Sequence, residues 1–247
     1  MNSKWATKCI HWKNLWPQLG LSEFDQKEGE GINLYKFMEV LNSVLSVRGK
    51  TSVVSDAGSA IYVPSQSLQL KKGQRFLLDG AEAGMGAALP MSIGVALSDQ
   101  DQNVIVITGD GSLQTNIQEL ATIRAHNLPI KIFVWDNGGY LSIRNTQDAF
   151  FGGRRFGTDE ENGLFFPNLK LIAEAYDLEY LKCDDQEKLS ECIQNSFEQT
   201  GPVLIHVKCK IGQKIVPNIA KRDGKTCQLD EMAPYLTEKE QKKEAWK

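Results

Sequence analysis

With 247 residues, 28 Lys+Arg against 31 Asp+Glu and a net charge of -3, the chain lacks the basic surplus that binding to a phosphate backbone draws on, so nucleic acid is not an expected partner. A hydrophobic fraction of 41% with 24% charged residues is that of an ordinary globular protein. No run approaches the roughly 20 apolar residues of a membrane helix, so no membrane association is expected, and the start, MNSKWATKCIHWK, has no apolar signal-peptide core.

Residues 1–32 read as an N-terminal helical appendage and linker. Trp5, Trp12 and Trp16 lie among basic residues, Pro17 closes the segment, and Ser22–Gly31 is polar and glycine-terminated. From Asn33 the pattern becomes regular. Asn33 is an N-cap candidate, and Leu34, Phe37, Met38, Leu41, Val44 and Leu45 recur at helical spacing until Arg48–Gly49. Strands are expected at Ser52–Ser55, Arg75–Leu78, Asn103–Thr108, Ile130–Trp135, Glu179–Lys182 and Val203–Lys208. Between them fall helices at Gly84–Ser98, Thr115–His126, Leu169–Tyr176 and Glu187–Gln199. NVIVIT and IKIFVW are apolar with almost no alternation, as strands buried on both faces must be. The expected fold is therefore a doubly wound parallel α/β sheet with helices on both faces, over residues 33–236. The end, TEKEQKKEAWK, reads as a charged, solvated tail over 237–247, without fixed structure.

In such a sheet, ligands bind beyond the carboxyl ends of the strands. After NVIVIT comes Gly109-Asp110-Gly111-Ser112, and after IKIFVW comes Asp136-Asn137-Gly138-Gly139-Tyr140. One crossover helix separates the two, so Asp110 and Asn137 are expected at the same end of the sheet. A carboxylate and an amide oxygen, with a carbonyl freed by the Gly138–Gly139 turn, describe a Mg²⁺ site completed by phosphate oxygens rather than an all-protein calcium cage. Gly111 has no Cβ to obstruct a diphosphate, and the N–H groups of Gly111 and Ser112 would face it. Taken alone, GDGS is equally a Gly-Asp-Gly turn; the spaced pair on consecutive buried strands is the specific signal.

GDGSLQTNIQELATIRAHNLPIKIFVWDNGGY resembles the thiamine-diphosphate (ThDP) binding motif, which opens with GDG and closes on two asparagines. Asp136 stands where the first asparagine is usual, and Asn137 matches the second, the family's metal ligand. The resemblance implies a metal set of Asp110, Asn137 and the Gly139 carbonyl. EAGMGAALPMSIGVAL is similar to the segment supporting the bent cofactor. Met85 would then be the apolar wedge between the two rings, with the Ala83 carbonyl and the Met85 N–H meeting the aminopyrimidine. Without the downstream motif, Met85 would read as core filler. Ser59–Ala60 falls where relatives carry a polar anchor for the diphosphate. Tyr140 and Ile143 follow the metal loop, and Ile143 is expected to line the reaction centre.

The likeness runs from about Asn33 to the C-terminus and is strongest to acetolactate synthase-like enzymes, in SDAGSAIY, GYLSIRNTQDAFFGG, FPNLKLIAEAY, GPVLIHV and LDEMAPYL. It implies a ThDP- and Mg²⁺-binding component that decarboxylates a 2-oxo acid such as pyruvate and transfers the resulting enamine to a second carbonyl. The family's catalytic glutamate belongs to a pyrimidine-binding domain, which is expected on another chain, in a homo- or hetero-oligomer. No catalytic residue is assigned to this chain; Glu82 and Glu119 read as structural. Alternatives are the cofactor subunit of a two-chain phosphonopyruvate or sulfopyruvate decarboxylase, whose Asp-Asn pair would match, and a non-catalytic remnant of the fold. Five cysteines with no C-x-x-C pair speak against a disulfide scaffold, a zinc site or an iron–sulfur cluster, and point to the reducing cytoplasm. His11, His126 and His206 have no ligand-like spacing and read as structural. Arg144, Arg154 and Arg155 read as solvated or helix-neighbour side chains, with a substrate carboxylate as the alternative partner.

Overall fold

The computed structural model describes residues 3–15, 31–215, 221–222, 225–226 and 238–244. Of the expected features, Trp16–Pro17, the linker apart from Gly31, LDEMAPYL and Cys227 lie outside them. Two compact units are formed, Lys27–Gln213 and a smaller one of Met1–Gln26 with Lys214–Lys247.

In chain order the elements are α1 Lys4–Leu15, α2 Leu34–Leu45, β1 Thr51–Ser55, α3 Ser59–Ser67, β2 Gln74–Leu78, α4 Ala88–Ser98, β3 Asn103–Gly109, α5 Asp110–Thr115, α6 Glu119–Ala125 and β4 Ile130–Asp136. There follow α7 Leu141–Phe150, a 3-10 turn at Glu160–Asn162, α8 Leu169–Ala175, β5 Glu179–Cys183, α9 Leu189–Glu198, β6 Val203–Lys208, β7 Lys221–Arg222, β8 Lys225–Thr226 and α10 Glu238–Glu244.

The larger unit is built on a six-stranded sheet in the order β2-β1-β3-β4-β6-β5, parallel throughout. The central strands β1, β3 and β4 are buried almost end to end, while the edge strands β2 and β5 are partly exposed. Burial on both faces is why NVIVIT and IKIFVW carry no polar alternation. On one face Val54, Val104, Val106, Ile132, Val134 and Leu204 pack with Leu89 of α4, Leu120 and Ile123 of α6 and Ile172 of α8. The opposite face receives α2, whose Phe37 stands edge-on to Phe133 at 5.4 Å and to Trp135 at 5.3 Å between ring centroids. Asn33 caps α2 as expected, its side chain accepting from the N–H groups of Tyr35 and Lys36. The chain runs outward from β1 to β2 on one side and to β3 and β4 on the other, so a crevice opens between the carboxyl ends of β1 and β3.

All four expected helices are shorter, α8 and α9 by a residue or two at an end and the other two by more. Residues 84–87 are not helical and 85–87 turn ahead of α4, because Gly86 takes φ +82 where an added Cβ would meet Thr115 Oγ1. The run Thr115–His126 is broken: Asn116 leaves helical geometry at φ -138 and its side-chain amide donates to the Gly86 carbonyl at 3.1 Å. In the smaller unit Glu238–Glu244 of the expected unstructured tail forms α10, and buried Glu244 accepts from Lys8 Nζ and faces His11 Nε2, each at 2.8 Å. Among the described residues no helix is long and apolar enough to cross a membrane.

Candidate cofactor and metal site

The β3–β4 register pairs Gly109 with Trp135, which sets the next residues, Asp110 and Asp136, side by side, with Asn137 one step beyond. The loop after β4 then folds back. The Gly139 N–H donates to Asp110 Oδ2 at 2.9 Å, and Asp110 Oδ1 accepts the Gly111 N–H at 2.7 Å. Gly139 has φ +124, and a Cβ there would fall 2.1 Å from the Thr158 carbonyl oxygen, so the return is open only to glycine. Its own carbonyl accepts the Leu141 N–H at 3.0 Å and keeps a second lone pair.

Asp110 and Asn137 are 5% and 3% exposed. Burial, against the Gly139 hydrogen bond and reinforced by the nearby Asp136 charge, pushes Asp110 up to about 6. Asn137 Oδ1 is buried and, among the described residues, has no hydrogen-bond partner. An orphaned amide oxygen beside a carboxylate burdened by burial is the arrangement a hard divalent cation would relieve. Among the described residues no group of three or more His, Cys, Asp or Glu side chains converges. The donors present therefore suit a cation whose remaining ligands are water or phosphate oxygens.

A cavity of about 220 Å³ opens beside this pair, lined by Ser59, Ala83, Met85, Asp110, Gly111, Ser112, Asn137, Gly139, Tyr140 and Ile143 together with Tyr62 and residues of the same loops. All ten candidate site residues thus share one cavity. Met85 and Ile143 are each 42% exposed there, which removes the core-filler reading of Met85. Ala83 sits at φ +52, a strained conformation for a residue with a Cβ. Neither Glu82 nor Glu119 lines the cavity. Gly111 has a neighbour the sequence did not suggest: a Cβ would lie 2.1 Å from Tyr140 Cε1, so the tyrosine ring occupies the space beside it.

Arg144 differs from the expected solvated or substrate-facing side chain. It is 4% exposed, donating from Nη2 to the Asn137 carbonyl at 2.9 Å and from Nη1 to the Gly138 carbonyl at 3.0 Å. Its guanidinium fork grips the loop that carries Asn137 and Gly139. Arg155 does lie at the surface, paired with Asp148. Asp56 was missed. It is buried beyond β1 and accepts the Gly86 N–H at 2.8 Å and the Thr108 hydroxyl at 3.0 Å, tying the Met85 loop to the sheet. The signal was available: a carboxylate directly after an apolar strand, at the same end as Asp110.

A family profile described as "Thiamine pyrophosphate enzyme, C-terminal TPP binding domain" matches residues 56–207. The chain belongs to this family. Its cofactor is thiamine diphosphate with Mg²⁺, and its type is acetolactate synthase-like. The chloroplastic acetolactate synthase of Arabidopsis thaliana is 31% identical over 195 residues, 77% of this chain and 29% of the plant protein. The acetolactate synthase large subunit of Lactococcus lactis is 30% identical over 174 residues, 70% of this chain and 29% of its own length. For the isozyme 1 large subunit of Escherichia coli the identity is 29% over 187 residues, 73% of this chain and 32% of the relative. The chain spans about three-tenths of the length of these curated relatives. Within this thiamine pyrophosphate family, the matched stretch holds both strand tips and the loops that line the cavity.

Proposed function

We propose that this chain is the ThDP-diphosphate and Mg²⁺-binding component of an acetolactate synthase-like enzyme acting on a 2-oxo acid such as pyruvate, with the catalytic glutamate supplied by a pyrimidine-binding domain on another chain. The observation that carries this reading is the buried, partnerless Asn137 Oδ1 beside buried Asp110. Asp110, Asn137 and the Gly139 carbonyl would hold the cation. Gly111 and Ser112 would approach the diphosphate, with Ser59 as the polar group across the crevice. Ala83 and Met85 would meet the aminopyrimidine, the Met85 side chain serving as the apolar support, and Tyr140 and Ile143 would line the approach to the reaction centre. When bound, thiamine diphosphate supplies the electron sink for decarboxylation. The part of this chain's residues is to bind, orient and keep water from the metal side. Exposed Met85, Ile143 and Tyr62 around the cavity support a partner covering that face, hence an oligomer, and the location is proposed as cytoplasmic.

Calorimetric titration with ThDP tests the core of this reading. Heat that appears with Mg²⁺ and vanishes with chelator is the expected result, and binding indifferent to metal would sink it. Reconstitution with a chain bearing the pyrimidine-binding domain should yield pyruvate consumption; none with any 2-oxo acid would reject the enzymatic part.

A further inference from the structure

Asp136 stands where the resembling motif carries asparagine, and His206 read as a structural residue with no particular partner. The structure joins the two. In the register of β4 against β6, Asp136 lies opposite Lys208 and Val134 opposite His206, which directs these polar side chains to one face at the carboxyl end of the sheet. Asp136 divides its oxygens between two tasks. Oδ2 meets His206 Nε2 at 2.7 Å and accepts from Lys208 Nζ at 3.0 Å, while Oδ1 accepts the Gly138 N–H at 3.2 Å. The other imidazole nitrogen, His206 Nδ1, faces the Tyr180 hydroxyl at 2.9 Å. A neutral ring donating from Nε2 to Asp136 leaves Nδ1 to accept from Tyr180, so one tautomer satisfies the whole chain of contacts. Asp136 and His206 side chains are only 18% and 16% exposed.

Resting on the cofactor reading above, we infer that Asp136, braced by His206 and Lys208, is a positioning residue: by holding the Gly138 N–H it fixes the loop that turns Asn137 Oδ1 and the Gly139 carbonyl toward the cation. Gly138 has φ +71 and Gly139 φ +124, so this loop has more conformational freedom to lose than ordinary chain. Arg144 holds the Asn137 and Gly138 carbonyls, Asp110 holds the Gly139 N–H and the Cys209 N–H holds the Asp136 carbonyl, while the Gly138 N–H is the group through which the Asp136 side chain, and with it His206 and Lys208 of β6, reaches the metal loop.

The test compares Asp136→Ala, Asp136→Asn and His206→Ala with the wild type by two readouts. One is exchange of the Gly138 amide, resolved by NMR in the cofactor-free chain; the other is affinity for Mn²⁺ in the presence of ThDP. Asp136→Ala should speed Gly138 exchange and weaken Mn²⁺ binding by about tenfold or more, the scale expected when a residue behind a metal ligand is lost. Asp136→Asn keeps an oxygen for the Gly138 N–H and, with the histidine tautomer reversed, a donor for Nε2, but its amide nitrogen cannot accept from Lys208 Nζ, so its losses should match those of Lys208→Met, about two- to fivefold, and stay well short of Asp136→Ala. His206→Ala should fall between the two. If Asp136→Ala fails to fold, Lys208→Met and Tyr180→Phe, at less buried ends of the network, carry the test with losses of about two- to fivefold. Wild-type exchange and affinity in Asp136→Ala beside a wild type that binds Mn²⁺ and ThDP would overturn the brace alone, as would equal losses in Asp136→Ala and Asp136→Asn. A wild type that binds neither would overturn the cofactor reading and the brace with it.

Discussion

At the amino end of β4, Lys131 is as buried as Asn137 beyond its carboxyl end, 4% against 3% exposed, yet the two are treated differently. Lys131 Nζ finds the carbonyls of Gln199 and Gly201 at 2.6 and 2.9 Å, and nearby Ser52 Oγ finds Gln102 Oε1 at 2.7 Å. At the other end Asn137 Oδ1 has no partner, Asp110 is burdened by burial, and Ala83 is bent into a left-handed conformation. Lys131 and Ser52 are thus satisfied within the chain. Asn137 is left with an unsettled acceptor at the end where the proposed cation would supply what is missing, and the cost falls on the unliganded protein.

Substitutions at the two ends should therefore separate binding from stability. The largest expected effect is Asp110→Asn, which should weaken Mg²⁺-dependent ThDP binding in calorimetry on the order of a hundredfold. Its unliganded stability should remain within about 1 kcal/mol, since relief of a buried charge and loss of an acceptor oppose one another. Large loss of stability with binding intact would erase the distinction between the ends. Gly111→Ala should cost about 1–3 kcal/mol in denaturant unfolding through overlap with the Tyr140 ring. Tyr140→Ala in the same chain should restore part of it, and absence of coupling would mean that glycine is required for another reason. Met85→Ala should lower ThDP affinity about tenfold while leaving unfolding within about 0.5 kcal/mol, because the side chain is exposed rather than packed.

The smallest effect belongs to the amino end. Burial lowers Lys131 from 10.5 to about 8. Between those values the unfolded chain holds a proton the folded chain has released, so stability should rise with pH across that window. In Lys131→Met this contribution to the slope should disappear, with ThDP binding untouched; an unchanged slope would mean that the two carbonyls hold the ammonium charged.

How far these features were legible depended on whether short-range pattern or long-range contact decided them. Every strand of the sheet lay within a residue or two of its expected bounds, the central ones because burial on both faces writes itself as an unbroken apolar run such as NVIVIT. Asn33 was legible for a local reason, a side chain bonding its own next turn. Helix α3 was not, since SAIYVPSQS carries Pro64 and six residues, Ser59, Ile61, Tyr62, Val63, Ser65 and Ser67, that compete with helical hydrogen bonds or lose rotamer freedom. The break before α6 depends on a contact of Asn116 with Gly86, thirty positions away in the chain, which no local periodicity encodes. The same holds at the site. The Asp110 and Asn137 pairing followed from strand order alone, whereas the burial of Arg144 required the loop after β4 to fold back over it, and the role of His206 required the β4–β6 register.

The pairing of Gly109 with Trp135 also dates the site within folding. Asp110 and Asn137 belong to strands joined through a crossover, so they acquire a common face only when β3 and β4 have docked in register; α2, with its local cap, can form beforehand. During renaturation, uptake of the cation would accordingly serve as a clock for completion of the central sheet, silent while helices grow and starting when the two strand tips come abreast.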